Sequence, residues 1–203
     1  VLIGIAGLSG SGKTALARQL SQRLDSPAEI LTLDSYYHPQ SHLNLAERAH
    51  VNYDHPGSLD WNLLHQHLHA LARGEAIEEP FYLFDQHTRA SKTRRVEPKP
   101  YLILEGILTL HSAEIRGLLH RKVFVETNPE ECLRRRMERD IVERGRTEES
   151  VIEQYRATVW PMALEYVLPS QAFADLVVSG EEPIARSVEA VLGSVQNSFA
   201  AAS

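Results

Sequence analysis

Eight residues near the start of the chain, Gly7-Leu8-Ser9-Gly10-Ser11-Gly12-Lys13-Thr14, fit the pattern G-x-x-x-x-G-K-[ST]. The pattern describes a nest for phosphate. Glycines let the backbone curl until successive N–H groups point into one concavity, and a helix beginning at Lys13 would add its positive end. Gly7, Ser9, Gly10, Ser11, Gly12, Lys13 and Thr14 are therefore the candidate phosphate contacts. Lys13 can reach the β- and γ-phosphates of a nucleotide, and the Thr14 hydroxyl can meet Mg²⁺. At average residue frequencies a chain of this length matches by chance about once in a hundred cases. Here the match also falls between an apolar strand and a helix, as the mechanism requires. No N-K-x-D guanine signature occurs, which favours ATP over GTP as the ligand.

Two carboxylates extend this site. Glu105 closes the apolar segment YLILE and precedes Gly106; an acid there can bind Mg²⁺ directly or through water, or be a plain strand-end acid. Asp34 directly follows the segment EILTL, where it can face the γ-phosphate and accept a proton from an attacking hydroxyl. Its bland alternative is a turn-opening Asx residue.

These groups need elements that bring them together. Val1–Ala6 reads as a strand, followed by a helix from Lys13 to about Leu24 and a strand over Glu29–Leu33. Residues Asp34–Ser58 read as a long polar loop, and a loop of that length is usually functional. Leu59–Arg73 reads as an amphipathic helix ended by Gly74, and Ile77–Val96 as a hairpin. Strands follow at Tyr101–Glu105 and Lys122–Glu126, then a helix from Pro129 to about Arg144 ended by Gly145. Thr147–Leu168 reads as a helix kinked at Pro161, Asp175–Ser179 as a strand, Ile184–Ser198 as a helix and Ser198–Ser203 as its fraying end. Five short strands alternating with helices predict an α/β fold with a mainly parallel five-stranded sheet. Such sheets bind ligands beyond the carboxyl ends of their strands, where Gly7, Asp34 and Glu105 fall.

Composition narrows the reading. The 203 residues are 43% hydrophobic, enough for a full core, and carry a formal charge of −6. That balance argues against general nucleic-acid binding. No apolar run approaches the roughly 18 residues of a membrane span. Val1–Ala6 lacks the length and flanks of a secretory signal, and the absent initiator Met leaves open a trimmed or renumbered chain. One cysteine, Cys132, excludes a disulfide framework and fits a cytoplasmic location.

The chain resembles the uridine–cytidine kinases, within the wider group that includes phosphoribulokinase and pantothenate kinase. The resemblance runs from Val1 to about Val178. It rests on GLSGSGKT at 7–14, DSYY at 34–37, NYDHPGSLD at 52–60, FYLFDQHTR at 81–89, LEGIL at 104–108 and RRRMERDIVERGR at 134–146, with Gln154-Tyr155 after it. It implies one three-layer P-loop kinase domain over 1–203, with a substrate-binding hairpin insertion at about 35–96 and a helical lid at about 129–160. It also implies ATP with Mg²⁺, a homo-oligomer (tetramer or dimer) and pyrimidine nucleoside salvage. Asp34 is then the base for the 5′-hydroxyl and Asp54 the carboxylate for the ribose 2′- and 3′-hydroxyls. Tyr82 and His87 read the pyrimidine, Phe84 walls its pocket, and Arg136, Arg146 and Gln154 contact substrate or phosphate. Thr14 and Glu105 form the magnesium shell.

These roles are chemically sensible. An ionised carboxylate can accept both donors of a ribose diol, and losing one disfavours deoxyribose. An imidazole can meet a carbonyl in uridine or an amine in cytidine, so both nucleosides are expected to be accepted. Each residue also has a plainer reading: Asp54 as a turn cap, Tyr82 and Phe84 as core, His87 as surface. Residues 129–146 hold six Arg and five acids, equally a solvated helix with i, i+4 pairs (Glu131–Arg135, Arg136–Asp140, Arg139–Glu143) or a lid whose arginines meet the transferring phosphoryl group. His65, His67 and His69 read as a solvated face rather than a metal site, and Cys132 as structural or half-exposed.

Leu83 replaces an acid common in the family, and Glu181-Glu182 stand near where an Arg-Gly pair often occurs. The first leaves the base pocket's polar detail open, and the second the donor end. The alternatives are a sister kinase acting on a sugar phosphate or pantothenate, and a non-catalytic nucleotide sensor.

Overall fold

The computed structural model describes the backbone of residues 1–200 and the side chains of residues 1–196. Strands β1 (Leu2–Gly7), β2 (Ala28–Thr32), β5 (Tyr101–Glu105), β6 (Arg121–Glu126) and β7 (Leu176–Ser179) form one sheet in the order β2-β5-β1-β6-β7. Every neighbouring pair is parallel. β1 and β5 are buried along their whole length, as central strands covered on both faces must be. Alternate residues feed opposite cores. Ile3, Ile5, Ile103 and Val125 pack with Leu16 and Leu20 of α1 (Lys13–Arg23) and with Val188 and Val191 of α7 (Ile184–Ala200). Leu2, Leu31, Leu104 and Phe124 pack with Leu64 and Leu68 of α3 (Trp61–Ala72), Ile115 of α4 (Ala113–Leu118), and Ala163 and Val167 of a helical run, α6, over residues 148–170. The result is a three-layer α/β sandwich. Of the tail expected to fray, residues 201–203 lie outside the described residues.

The interval 34–58 is not structureless. A 3₁₀ turn over Leu33–Tyr36, the short α2 (Leu45–Ala49) and a turn at Pro56–Ser58 occupy it. A reciprocal capping box between Asn44 and Glu47 starts α2. β3 (Ile77–Leu83) and β4 (Thr88–Val96) form a separate antiparallel hairpin with a bulge between Pro80 and Tyr82. Two arginines of β4 tie it to the sandwich. Arg89 donates to the Tyr36 carbonyl (2.9 Å) and pairs with Asp60 (3.3 Å), whose other oxygen caps α3. Arg94 donates to Glu79 (2.8 Å), Glu29 (2.6 Å) and the Ile30 carbonyl (3.0 Å).

α5 (Pro129–Arg144) ends at Gly145, φ +62°. α6 differs from the expected kinked helix. It winds as π-helix over Tyr155–Val159 and again over Ala163–Val167, each time just before a turn containing a proline, Pro161 or Pro169. Proline has no N–H to donate and its ring crowds the carbonyl four residues back. A widened turn relieves that crowding without ending the helix.

Candidate active site

β1 delivers the phosphate loop at its carboxyl end. Gly7, Gly10 and Gly12 all have positive φ (144°, 87° and 99°), which side-chain-bearing residues rarely adopt. The Ser11 N–H donates to the Leu8 carbonyl at 3.0 Å, and Lys13 Nζ rests on the same carbonyl at 2.8 Å. The Ser11 hydroxyl is buried with no hydrogen-bond partner. Burial pushes the Lys13 ammonium below its ordinary range, against the pull of Glu105 and Asp34. Such a cation gains from an incoming anion.

β5 delivers Glu105. It is 6% exposed and accepts from Thr14 Oγ1 at 3.2 Å. Burial raises its pKa, Lys13 opposes that, and Asp34 adds to it. A hydroxyl and a buried carboxylate are hard oxygen donors suited to Mg²⁺. Among the described residues no cluster of three or more His, Cys, Asp or Glu could hold a metal alone.

The 3₁₀ turn after β2 delivers Asp34 to the cleft beside Tyr37, whose hydroxyl is pushed up in pKa by burial first and by the Asp34 and Asp54 charges next. Beyond it lies the hairpin end. Tyr37, Tyr53, Tyr82 and Phe84 form a chain of edge and tilted contacts with centroids 5.2–5.3 Å apart between Tyr37 and Tyr53, Tyr37 and Tyr82, and Tyr82 and Phe84. His87 has φ +48° and stacks on Tyr53 at 5.5 Å and 17°. Burial lowers its pKa, and Arg146 and Arg144 lower it further, so the imidazole is neutral near pH 7 and offers one donor and one acceptor. Asp54 is 8% exposed; burial raises its pKa, and the Arg136 charge opposes that.

α5 and the start of α6 close the remaining side. Arg136 donates to Ser9 Oγ (2.9 Å) and to Gln154 Oε1 (3.0 Å). Arg146 donates to the same Gln154 oxygen. Arg144 lies over the Phe84 ring, 4.5 Å from its centroid, so the α5 side and the hairpin touch across the mouth. One cleft of about 680 Å³ is lined by Ser9, Lys13, Thr14, Asp34, Asp54, Tyr82, Phe84, His87, Glu105, Arg136, Arg146 and Gln154. The phosphate end, the two candidate acids and the aromatic end thus share one space.

Among the other residues lining the cleft are Tyr37, Tyr53, Arg139 and Arg144, none of which the sequence reading gave a site role of its own. The two tyrosines stand beside the flagged acids in DSYY and NYDHP, and that adjacency was the available signal. The expected Arg139–Glu143 pair is absent from the ion pairs of the described residues; Arg139 turns to Asp140 instead. Glu131–Arg135 and Arg136–Asp140 do pair. Cys132 is buried. His65 and His69 contact each other at 3.2 Å, while His67 meets the Tyr36 hydroxyl.

The loop after β7 packs against the phosphate loop. Gly180 lies against the phosphate loop, and a Cβ there would come closer than 3.0 Å to Thr127 Oγ1 and to the Ser11 carbonyl. Thr127 Oγ1 donates to that same carbonyl at 3.0 Å, and Arg135 donates to the Gly180 carbonyl at 2.9 Å. Glu181 accepts from the Asn128 N–H at 2.6 Å, beside the start of α5.

Fold and cleft define a P-loop phosphotransferase. The sequence model of the phosphoribulokinase / uridine kinase family matches residues 2–182, and the chain belongs to that family. It is 48% identical over 183 residues to a uridine kinase of Vibrio cholerae and 49% identical over 183 residues to one of Salmonella paratyphi B; each match covers 88% of this chain and 86% of the relative. The fold is similar to phosphoribulokinase from Rhodobacter spheroides (TM-score 0.64, 17% identity, 90% of this chain and 73% of that one). It is also similar to D-glycerate 3-kinase from Cryptococcus neoformans (TM-score 0.59, 15% identity, 90% and 87%). Among the described residues no helix is long and apolar enough to cross a membrane.

Proposed function

We propose that the chain transfers the γ-phosphoryl group of ATP to the 5′-hydroxyl of uridine and cytidine, giving UMP and CMP. The carrying observation is the single cleft with a phosphate nest at one end, an aromatic pocket at the other and Asp34 between them. The 48% identity to a uridine kinase over most of both chains points the same way.

Lys13 leaves the Leu8 carbonyl for the β- and γ-phosphates, which the loop amides also hold. Thr14 and Glu105 would hold Mg²⁺, which neutralises charge on the transferring group. Asp34 takes the proton of the 5′-hydroxyl as that oxygen attacks in line. Asp54 accepts both ribose hydroxyls, and its burial makes an unpaired oxygen there costly. Tyr82, Phe84 and the Tyr53–His87 stack flank and read the base. Arg136, Arg146 and Gln154 close over the reacting groups and exclude water. An aromatic pocket of this kind suits a flat base better than a sugar phosphate.

The test is ADP release with Mg-ATP and uridine, cytidine, 2′-deoxycytidine, ribulose 5-phosphate or pantothenate, beside an Asp34→Asn variant. Turnover on the two ribonucleosides, reduced roughly 10²–10⁴-fold in the variant, is expected. Turnover only on another acceptor would establish a sister kinase. Nucleotide binding without turnover would establish a sensor.

A further inference from the structure

Asp140 is completely buried on α5 and does not itself line the cleft, yet it faces four of the cleft's cations. Its Oδ1 accepts from Arg139 (Nε 2.9 Å, Nη2 2.8 Å) and lies 3.4 Å from Arg144 Nη1. Its Oδ2 lies 3.5 Å from Arg136 Nε and 3.9 Å from Arg146 Nη1. Neither Oδ2 nor Arg136 Nε has a hydrogen bond. Among the described residues no other carboxylate forms an ion pair with any of these four arginines.

Helix geometry creates the arrangement. The Asp140 carbonyl accepts the N–H groups of both Gly145 and Arg146. The chain therefore reverses at Gly145 and carries Arg146 back over the carboxylate. This capping role belongs to the backbone and does not need the side chain's charge. The carboxylate does something separate: it is a single negative charge shared among four guanidiniums that all line the cleft, with one oxygen still short of a hydrogen bond. Four cations held together by one anion form a preassembled receptor for phosphate oxygens. The same carboxylate competes with those oxygens for the guanidiniums.

Building on the nucleoside kinase reading, we propose that Asp140 is a positioning residue for phosphoryl transfer. Its carboxylate keeps Arg136, Arg139, Arg144 and Arg146 aimed into the cleft, and yields part of their hydrogen bonding when nucleotide phosphates arrive. It thereby restrains anion affinity between turnovers, so that the product nucleotide leaves.

Asp140→Asn keeps volume and backbone cap and removes the charge. Calorimetry with inorganic tripolyphosphate is expected to show binding at least tenfold tighter than wild type. Turnover is expected to fall at least tenfold, with the KM for ATP unchanged or lower. A merely structural role predicts the reverse for anions: weaker binding in step with lost activity. Tripolyphosphate affinity equal to or weaker than wild type overturns the proposal. If Asp140→Asn does not fold, Asp140→Glu carries the test, because it keeps the charge and moves the carboxylate by one methylene. Its kcat is then expected to fall at least fivefold with tripolyphosphate affinity within twofold of wild type. Wild-type kcat, or affinity lost together with kcat, overturns the proposal. The binding arm needs no acceptor. Failure of the wild type to phosphorylate either ribonucleoside would refute the functional reading, while the tripolyphosphate comparison still decides the role of Asp140.

Discussion

Gly180→Ala, a change of one methyl group, should weaken the proposed phosphate site by pressing on the loop from behind. A Cβ at position 180 would lie closer than 3.0 Å to Thr127 Oγ1 and the Ser11 carbonyl, and 3.0 Å from Val125 Cγ1. Comfortable separations are about 3.5–4.0 Å for carbon pairs, so the two oxygens must draw apart from the new methyl by roughly an ångström and Val125 by about half that. Thr127 cannot rotate freely, because its hydroxyl is donated to the same Ser11 carbonyl. Overpacking of this kind costs about 1–3 kcal/mol, and the disturbed hydrogen bond about 1 kcal/mol more. At 2–4 °C for each kcal/mol in a chain of this size, the melting temperature should fall by roughly 4–16 °C. The displaced peptide belongs to the nest, so its amides lose their aim at the phosphates. A misplacement approaching 1 Å can cost about a hundredfold in rate. Thermal melts and steady-state kinetics together read the effect: kcat/KM for ATP falls at least tenfold, while the KM for the nucleoside, bound at the other end of the cleft, stays within about twofold. An alanine variant with wild-type melting temperature and wild-type kcat/KM for ATP would refute the packing argument.

Asp54→Asn should lower kcat/KM on uridine roughly 10- to 150-fold, because hydrogen bonds to a charged group are worth about 1.5–3 kcal/mol; on 2′-deoxyuridine the change should be much smaller, and parallel assays compare them. The same substitution should raise the melting temperature at pH 7. Burial holds the Asp54 carboxyl above its ordinary pKa in the folded state, so its contribution to stability is fully present below the ordinary carboxylate range and is lost as pH rises through the raised value. Asparagine stays neutral, and its advantage should shrink towards zero as melts are repeated down to pH 4. Phe84→Ala removes the proposed base wall and the ring under Arg144, and should raise the nucleoside KM about 5- to 150-fold at aromatic–base stacking strengths of about 1–3 kcal/mol. The KM for ATP, measured in the same assays, should stay within about twofold.

The phosphate loop, the five strands and the hairpin are legible in the sequence because each has a local signature: a spaced motif, a short apolar run, a polar turn between two extended segments. α4 is not, since six residues capped by Ser112 are too few to display a helical period. α2 had a legible start in Asn44-x-x-Glu47, masked by the polarity around it. The prolines of α6 announce a disturbance but not its form, because whether a helix bends, stops or widens depends on what packs beside it. Spacing suggests a solvated row of ion pairs on α5, yet Asp140 is buried. The reversal at Gly145 and the guanidiniums gathered around the carboxylate place it inside, and neither is written in the helix's own period. Identities of the cleft acids were readable one by one; their convergence on one space was a property of the sheet order.

The two arginine clamps of the hairpin bear on how such a molecule can change over time. The donor half of the cleft is made from the ends of β1 and β5, and any shift there disturbs the core of the whole sandwich. Much of the proposed acceptor half sits on a two-stranded hairpin clamped by Arg89 and Arg94. Bases, sugars or acids of other shapes could be accommodated by rewriting that hairpin between its clamps, while the phosphate machinery stays untouched. Changes in the proposed phosphate machinery and in the proposed acceptor pocket can thus accumulate on different elements, provided the hairpin keeps Ile77, Tyr82 and Val96 in the shared core.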